Sequence, residues 1–147
     1  MRAGLVLLAV LVVDQAVKAL VTSSLDRGET RDIVLGIKLV NVRNTGVAFG
    51  QLQDGGVIVS VFIALALFAL VVYFTRRAGR PLIWLPTGML LGGALGNIVD
   101  RIREGAVVDF VKLPYWPAFN VADAAITIGV VMLLFVIERD DGARGPS

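Results

Sequence analysis

A chain of 147 residues that is 56% hydrophobic and only 18% charged falls outside the usual composition of a soluble domain and reads as a membrane protein. It has no Cys and no His, which excludes disulfides, thiolate nucleophiles, the usual zinc sites and any catalysis that needs an imidazole. Chemistry is left to carboxylates, amides, hydroxyls, Lys and Arg, and a net charge of +2 with scattered basic residues points to anionic lipid rather than nucleic acid.

A hydrocarbon core about 30 Å thick takes ~20 apolar residues as helix. The first such span is 3–21, and it carries Asp14, Gln15 and Lys18. A cleaved signal peptide with Arg2 as its n-region would begin in the same way. No A-x-A site follows, however, and Asp14 and Lys18 are odd residues to discard, so a retained signal anchor is expected. The loop from Thr22 to Asp54 contains "DIVLGIKLVNV", rich in β-branched residues, followed by "NTG", which predicts a short extramembrane sheet of two or three strands and a turn.

The second span is 55–75, and "RRAGRP" separates it from the third, 82–99. In the third span Gly88, Gly92 and Gly96 recur every fourth residue, a face that lets another helix approach closely, and Pro86 is a candidate kink. Tyr115 and Trp116, set between Pro114 and Pro117, suggest an interfacial belt before the fourth span, 119–137. The fold class expected is therefore all-α and membrane-embedded, one four-helix domain over 1–138 with a small β-structure in the first loop and a polar tail at 139–147. Four spans put both termini on one side, and the arginines of the short turn assign that side to the cytoplasm. Asn44, Asn97, Asp100, Asp109, Asn120 and Asp123 should then lie on or near the opposite membrane surface.

A carboxylate at membrane level costs about 2.5 to 3.5 kcal/mol on insertion scales, so each needs a partner or a task. Asp14 and Lys18 are one turn apart and can form an ion pair that eases insertion, or can also hold substrate. Asn97, Asp100 and Arg101 share a helix face, where they serve either as interfacial charges with an interhelical hydrogen bond or as part of a site. Asp109 in "GAVVDF" and Asp123 just inside the last span are flanked by apolar residues. Two carboxylates brought together cannot easily both ionise, and a pair sharing a proton can activate water against a peptide carbonyl and protonate the leaving amine. The plainer alternative is that each acid is satisfied by Arg101, Lys112 or a helix N-terminus.

"VVDQAVK" at 12–18, "NVRNTGVAFG" at 41–50, "GGALGNIVDRIREGAVVDF" at 92–110 and "FNVADAAITIG" at 119–129 together resemble the lipoprotein signal peptidase (signal peptidase II) family over nearly the whole chain. The resemblance implies a four-helix aspartic endopeptidase of the bacterial inner membrane with an extracytoplasmic β-cradle. Its substrate would be a prolipoprotein, whose signal peptide is cut just before the diacylglyceryl-modified Cys. Carried over by motif, the catalytic pair is Asp109 and Asp123, supported by Asp14, Lys18, Asn44, Gly46, Asn97, Asp100, Arg101 and Asn120. No metal or other cofactor is implied. Val47 and the brief linker "VKLPYWPA" are where pocket shape would differ.

Three other classes fit the residues less well. A Ser60–Lys18 peptidase has no oxyanion-hole glycine motif around Ser60. A metal-dependent lipid phosphotransferase, suggested by Gly105 ahead of Asp109, lacks the upstream D-G-x-x-A-R run. A proton-coupled carrier or channel subunit, relaying through Asp14 and Asp123, would be expected to show inverted repeats or a mid-helix break, and neither is present.

Overall fold

In the computed structural model, residues 1–46, 65, 68–69, 72, 76 and 82–143 are described. Most of the predicted second span and the arginine turn lie outside these residues, although Leu65, Phe68, Ala69, Val72 and Arg76 are helical. The elements in order are α1 (Arg2–Ser24), β1 (Thr30–Val34), β2 (Ile37–Asn44), α2 (Trp84–Glu104), β3 (Val107–Lys112) and α3 (Val121–Ala143). At their C-terminal ends the helices run three to six residues beyond the predicted spans, because polar ends continue the backbone hydrogen bonding past the apolar run, and α2 and α3 begin two residues later than predicted.

Among the described residues α1 is the one helix long and apolar enough to cross a membrane by length and composition, and Val121–Val136 is a shorter apolar stretch. Burial runs opposite to that of a soluble helix. Asp14 and Lys18 of α1 are buried while Leu5, Leu8, Val12, Val13 and Leu20 are exposed, and α3 likewise exposes Ile128, Leu134 and Phe135. Water would penalise that arrangement, whereas hydrocarbon rewards it.

Helix α2 lies between the other two. Its small-residue face does the packing expected of it: a Cβ on Gly88 would come within 2.6 Å of the Ala3 carbonyl, and one on Gly96 within 2.6 Å of Asp14 Oδ2. Pro86 does not kink α2. It falls in the first turn, where its missing N–H would have had no intrahelical partner. At the other end Gly105 adopts a left-handed φ of 71° and donates to the Arg101 carbonyl at 3.0 Å, stopping the helix so that β3 starts two residues later.

The sheet is antiparallel in the order β1-β2-β3. Its first two strands come from the first loop, as expected, joined by a two-residue turn in which Leu35 and Gly36 both have positive φ. The third strand was not expected: it comes from the segment after α2, and it carries Asp109. Alternation in "VVDFVK" is broken by a charged residue in a fully buried row, so the segment lacks the inside-outside pattern that marks a half-buried strand. Phe110 packs with Val21 and Leu25, fixing the sheet to the end of α1, and Asn41 adds a buried bond from Nδ2 to the Leu25 carbonyl at 2.8 Å.

Candidate active site

Two carboxylate clusters meet where α1, α2, β3 and the start of α3 converge. In the first, Lys18 Nζ stands 2.7 Å from Asp14 Oδ2 and 2.7 Å from Asp100 Oδ2, and donates to Asn97 Oδ1 at 3.2 Å. All three charged groups are buried. Two carboxylates against one ammonium leave an excess negative charge, which neutral donors offset. Ala122 N–H donates to Asp14 Oδ1 at 2.9 Å, Val108 N–H to Asp100 Oδ2 at 3.0 Å, and Gln15 Nε2 to Asp100 Oδ1 at 2.9 Å. Ala122 is in the first turn of α3, whose free N–H groups favour a carboxylate. The expected Asp14–Lys18 pair is therefore present but shared: Asp14 ties α1 to α3, and Asp100 ties α2 to β3. At 5% exposure Asp100 is no interfacial charge.

In the second cluster Asn120 lies between Asp109 and Asp123. Asn120 Oδ1 accepts from the Asp123 N–H at 2.8 Å, and the Asn120 N–H donates to Asp123 Oδ2 at 3.3 Å. This is a reciprocal capping box, and it explains why an Asn precedes an Asp by three residues in "FNVAD". The similar "NIVD" in α2 has another cause: Asn97 and Asp100 share a helix face, one toward α3 and the other toward Lys18. Asn120 Nδ2 also donates to Asp109 Oδ1 at 2.8 Å, and Asn97 Nδ2 donates to Asp123 Oδ1 at 2.8 Å. On the sheet side Asn44 Nδ2 donates to Asp109 Oδ2 at 2.9 Å, while its own Oδ1 is held by the Gly46 N–H at 2.9 Å. Gly46 reaches that position with φ 79°, a conformation suited to glycine.

Asp109 and Asp123 are thus satisfied by amides. Among the described residues no Lys or Arg comes within ion-pair distance of either, and the nearby Arg101 donates instead to the Asn97 carbonyl at 3.4 Å. Burial pushes the Asp109 carboxyl up to about 6, the Asn44 hydrogen bond opposes this, and the charge of Asp123 adds to the rise.

All ten residues singled out in the sequence fall in these two connected clusters or, for Gly46 and Arg101, beside them. Gln15, noted in the first span but not as a site residue, is a further member, and Asn41 is a buried polar residue outside the clusters that the sequence reading passed over. Asn41 carried a signal, since a buried polar residue in a β-branched strand needs partners, and it finds them in Leu25 and in Arg43 Nη1, which donates at 2.6 Å.

Apolar helix faces turned outward around an inner network of acids and amides define a membrane-enzyme fold. Two solved structures of bacterial membrane enzymes, determined by the in meso method at 2.3 and 1.9 Å, share it. The first is 27% identical with a TM-score of 0.82 and covers 99% of this chain and 92% of that one. The second is 28% identical with a TM-score of 0.76 and covers 92% and 91%. The sequence pattern of the signal peptidase (SPase) II family, Peptidase_A8, matches residues 6–138, and the chain belongs to that peptidase family. It is 40% identical over 134 residues to the lipoprotein signal peptidase of Syntrophomonas wolfei subsp. wolfei, covering 90% of each chain. Against the lipoprotein signal peptidase of Halothermothrix orenii it is 37% identical over 138 residues, covering 93% of this chain and 95% of that one.

Proposed function

We propose that the protein is an intramembrane aspartic endopeptidase that removes the signal peptide from diacylglyceryl-modified prolipoproteins, cutting just before the lipidated Cys. It would sit in the bacterial inner membrane as four spans with both termini cytoplasmic and the acid pair near the extracytoplasmic surface. The observation that carries this reading is the Asn120 bridge, which holds two carboxylates in one network with no ion pair to either among the described residues. Such a pair keeps one proton, and Asp109, raised chiefly by burial, is the member inclined to hold it.

The chemistry follows from that sharing. The ionised carboxylate takes a proton from water as the water oxygen adds to the peptide carbonyl carbon, and the protonated one donates to the carbonyl oxygen. Collapse of the tetrahedral diol breaks the C–N bond as a proton passes to the leaving nitrogen, and the pair again holds one proton. Arg101, whose charge acts on both Asp123 and Asp109, stands beside the pair and is the residue placed to hold the substrate backbone. Asp14, Lys18, Asp100 and Asn97 set the relative positions of α1, α2 and α3, and Asn44 with Gly46 aligns Asp109 from the sheet. The acyl chains of the substrate stay in the bilayer beside the helices, fixing the depth of the scissile bond.

The test is cleavage of a diacylglyceryl-modified prolipoprotein by the purified protein in lipid, beside the same precursor with a free Cys thiol. The modified substrate is expected to be cut at least ~100-fold faster, about 2.7 kcal/mol of transition-state stabilisation. Equal rates would show that the lipid plays no part in recognition, and no cleavage of either would remove the peptidase reading in favour of a proton-relay carrier.

A further inference from the structure

We propose that the sheet carries a binding site for the phosphate of an anionic phospholipid, formed by Lys38 and Lys112 beside an apolar foot made by the Leu35 and Tyr115 turns. Lys38 of β2 and Lys112 of β3 are direct cross-strand partners. Like charges placed opposite each other in an antiparallel pair repel, so an unassisted sheet gains nothing from them. Lys38 has one ion pair, to the largely exposed Asp32 at 3.4 Å, and an exposed pair of that kind is weak. Lys112 has no ion pair among the described residues. The two lysines line a cavity of about 710 Å³ whose other walls include Val40, Val42 and Tyr115, a basic rim over an apolar floor.

A second observation points to the same ligand. Among the described residues two non-glycine residues have positive φ, Leu35 at 52° and Tyr115 at 60°. They sit at the tips of neighbouring turns, since a Cβ on Gly36 would lie 3.1 Å from Pro114 Cγ. Both tips project fully, with Leu35 90% exposed and Tyr115 106%, and Ile33, Val34 and Trp116 are exposed beside them. A two-residue turn of this type favours Asn-Gly, so Leu35 carries both a backbone penalty and an exposed apolar side chain. Water compensates neither, whereas the interfacial layer of a bilayer takes up Leu, Tyr and Trp together. With the foot in that layer, the lysine pair stands at headgroup level, where a phosphate relieves their repulsion and the cavity floor receives the upper part of an acyl chain.

The whole protein is reconstituted in nanodiscs of phosphatidylcholine with and without phosphatidylglycerol, and the acetylation rates of Lys38 and Lys112 are read by mass spectrometry, a readout independent of peptide cleavage. Phosphatidylglycerol is expected to slow acetylation of both lysines while leaving the exposed Arg27 and Arg31 side of the sheet, marked by an arginine-directed reagent, unchanged. Retained phosphatidylglycerol, counted by native mass spectrometry, should bind about 20-fold more weakly to the Lys38→Gln, Lys112→Gln variant and recover in the Lys→Arg pair. Equal acetylation in both lipids overturns the proposal without needing any variant. Equal protection by inorganic phosphate in pure phosphatidylcholine also overturns it, by making the site one for free anions, and protection by an acidic peptide alone would make it a polypeptide site.

Discussion

Asp14 and Asp100 lie on either side of a lysine, whereas Asp109 and Asp123 lie on either side of an asparagine. The two pairs are linked through Asn97, which accepts from Lys18 and donates to Asp123. The difference is the cation. With Lys18 at 2.7 Å from each acid, the first pair is ion-paired and acts as a lock among four elements, α1, α2, α3 and β3. The second is held by amide donors with no ion pair among the described residues, and on the proposed reading it shares one proton, the group that hydrolysis would exchange. On this reading, neighbouring carboxylates serve structure or chemistry according to what stands between them.

The largest expected effect comes from removing the proton exchange. Asp109→Asn and Asp123→Asn should each lower cleavage of the lipidated precursor by about 10²- to 10⁴-fold or more while the protein stays folded and membrane-inserted. Substantial activity in either purified variant would end the distinction between the pairs.

Breaking the lock should act on stability first. Lys18→Met leaves Asp14 and Asp100 buried and unpaired and is expected to destabilise by about 3–5 kcal/mol. Replacing Asp14 and Lys18 together by Leu would be tolerated if they formed only an isolated ion pair. Because Asp14 also accepts from Ala122 N–H and Lys18 also serves Asp100, the double variant should instead unfold more easily and lose turnover. Wild-type thermal stability and activity in that variant would reduce the cluster to an aid to insertion.

The pH dependence sharpens the comparison further. The Asp109 carboxyl is raised from 3.8 to about 6, so between those values the native protein holds a proton that the unfolded chain has released. Stability then falls as pH rises through that window and levels off above it, by an amount on the order of 2–3 kcal/mol at most. Asp109→Asn should remove that fall and be at least as stable as the parent at pH 7, an inactive but sturdier protein. A parent whose unfolding midpoint rises over the same window would contradict the assignment.

Smaller still is the cap. Asn120→Ala should cost about 1 kcal/mol for the helix start, with a larger loss of rate because Asp109 loses its Nδ2 donor and the Asp123 N–H loses its acceptor. EDTA should leave the rate unchanged if, as proposed, carboxylates rather than a metal activate the water.

Much of this was legible in the chain because spacing along a helix is a local property. Asp14 and Lys18 one turn apart, and Asn120 three before Asp123, announce a pair and a cap without any tertiary information. The sharing of Lys18 with Asp100 could not be read, because it depends on how the Gly88–Gly92–Gly96 face seats α2 against α1. The strand holding Asp109 was missed for a related reason: its row is buried on both faces, so alternation, the usual sign of a strand, is absent. Asn44 was placed near the site by motif, but its aim at Asp109 depends on cross-strand register and on the irregularity between Leu39 and Val42.

The proposed shared proton has a direct spectroscopic signature. In infrared spectra of the purified protein in lipid, titrated across neutral and mildly acidic pH, a protonated-carboxyl band should grow in as pH falls through about 6. It should be absent in Asp109→Asn and unchanged in Asp14→Asn. A band that persists in Asp109→Asn and disappears in Asp14→Asn would place the proton in the lysine cluster and contradict the division of roles between the two pairs.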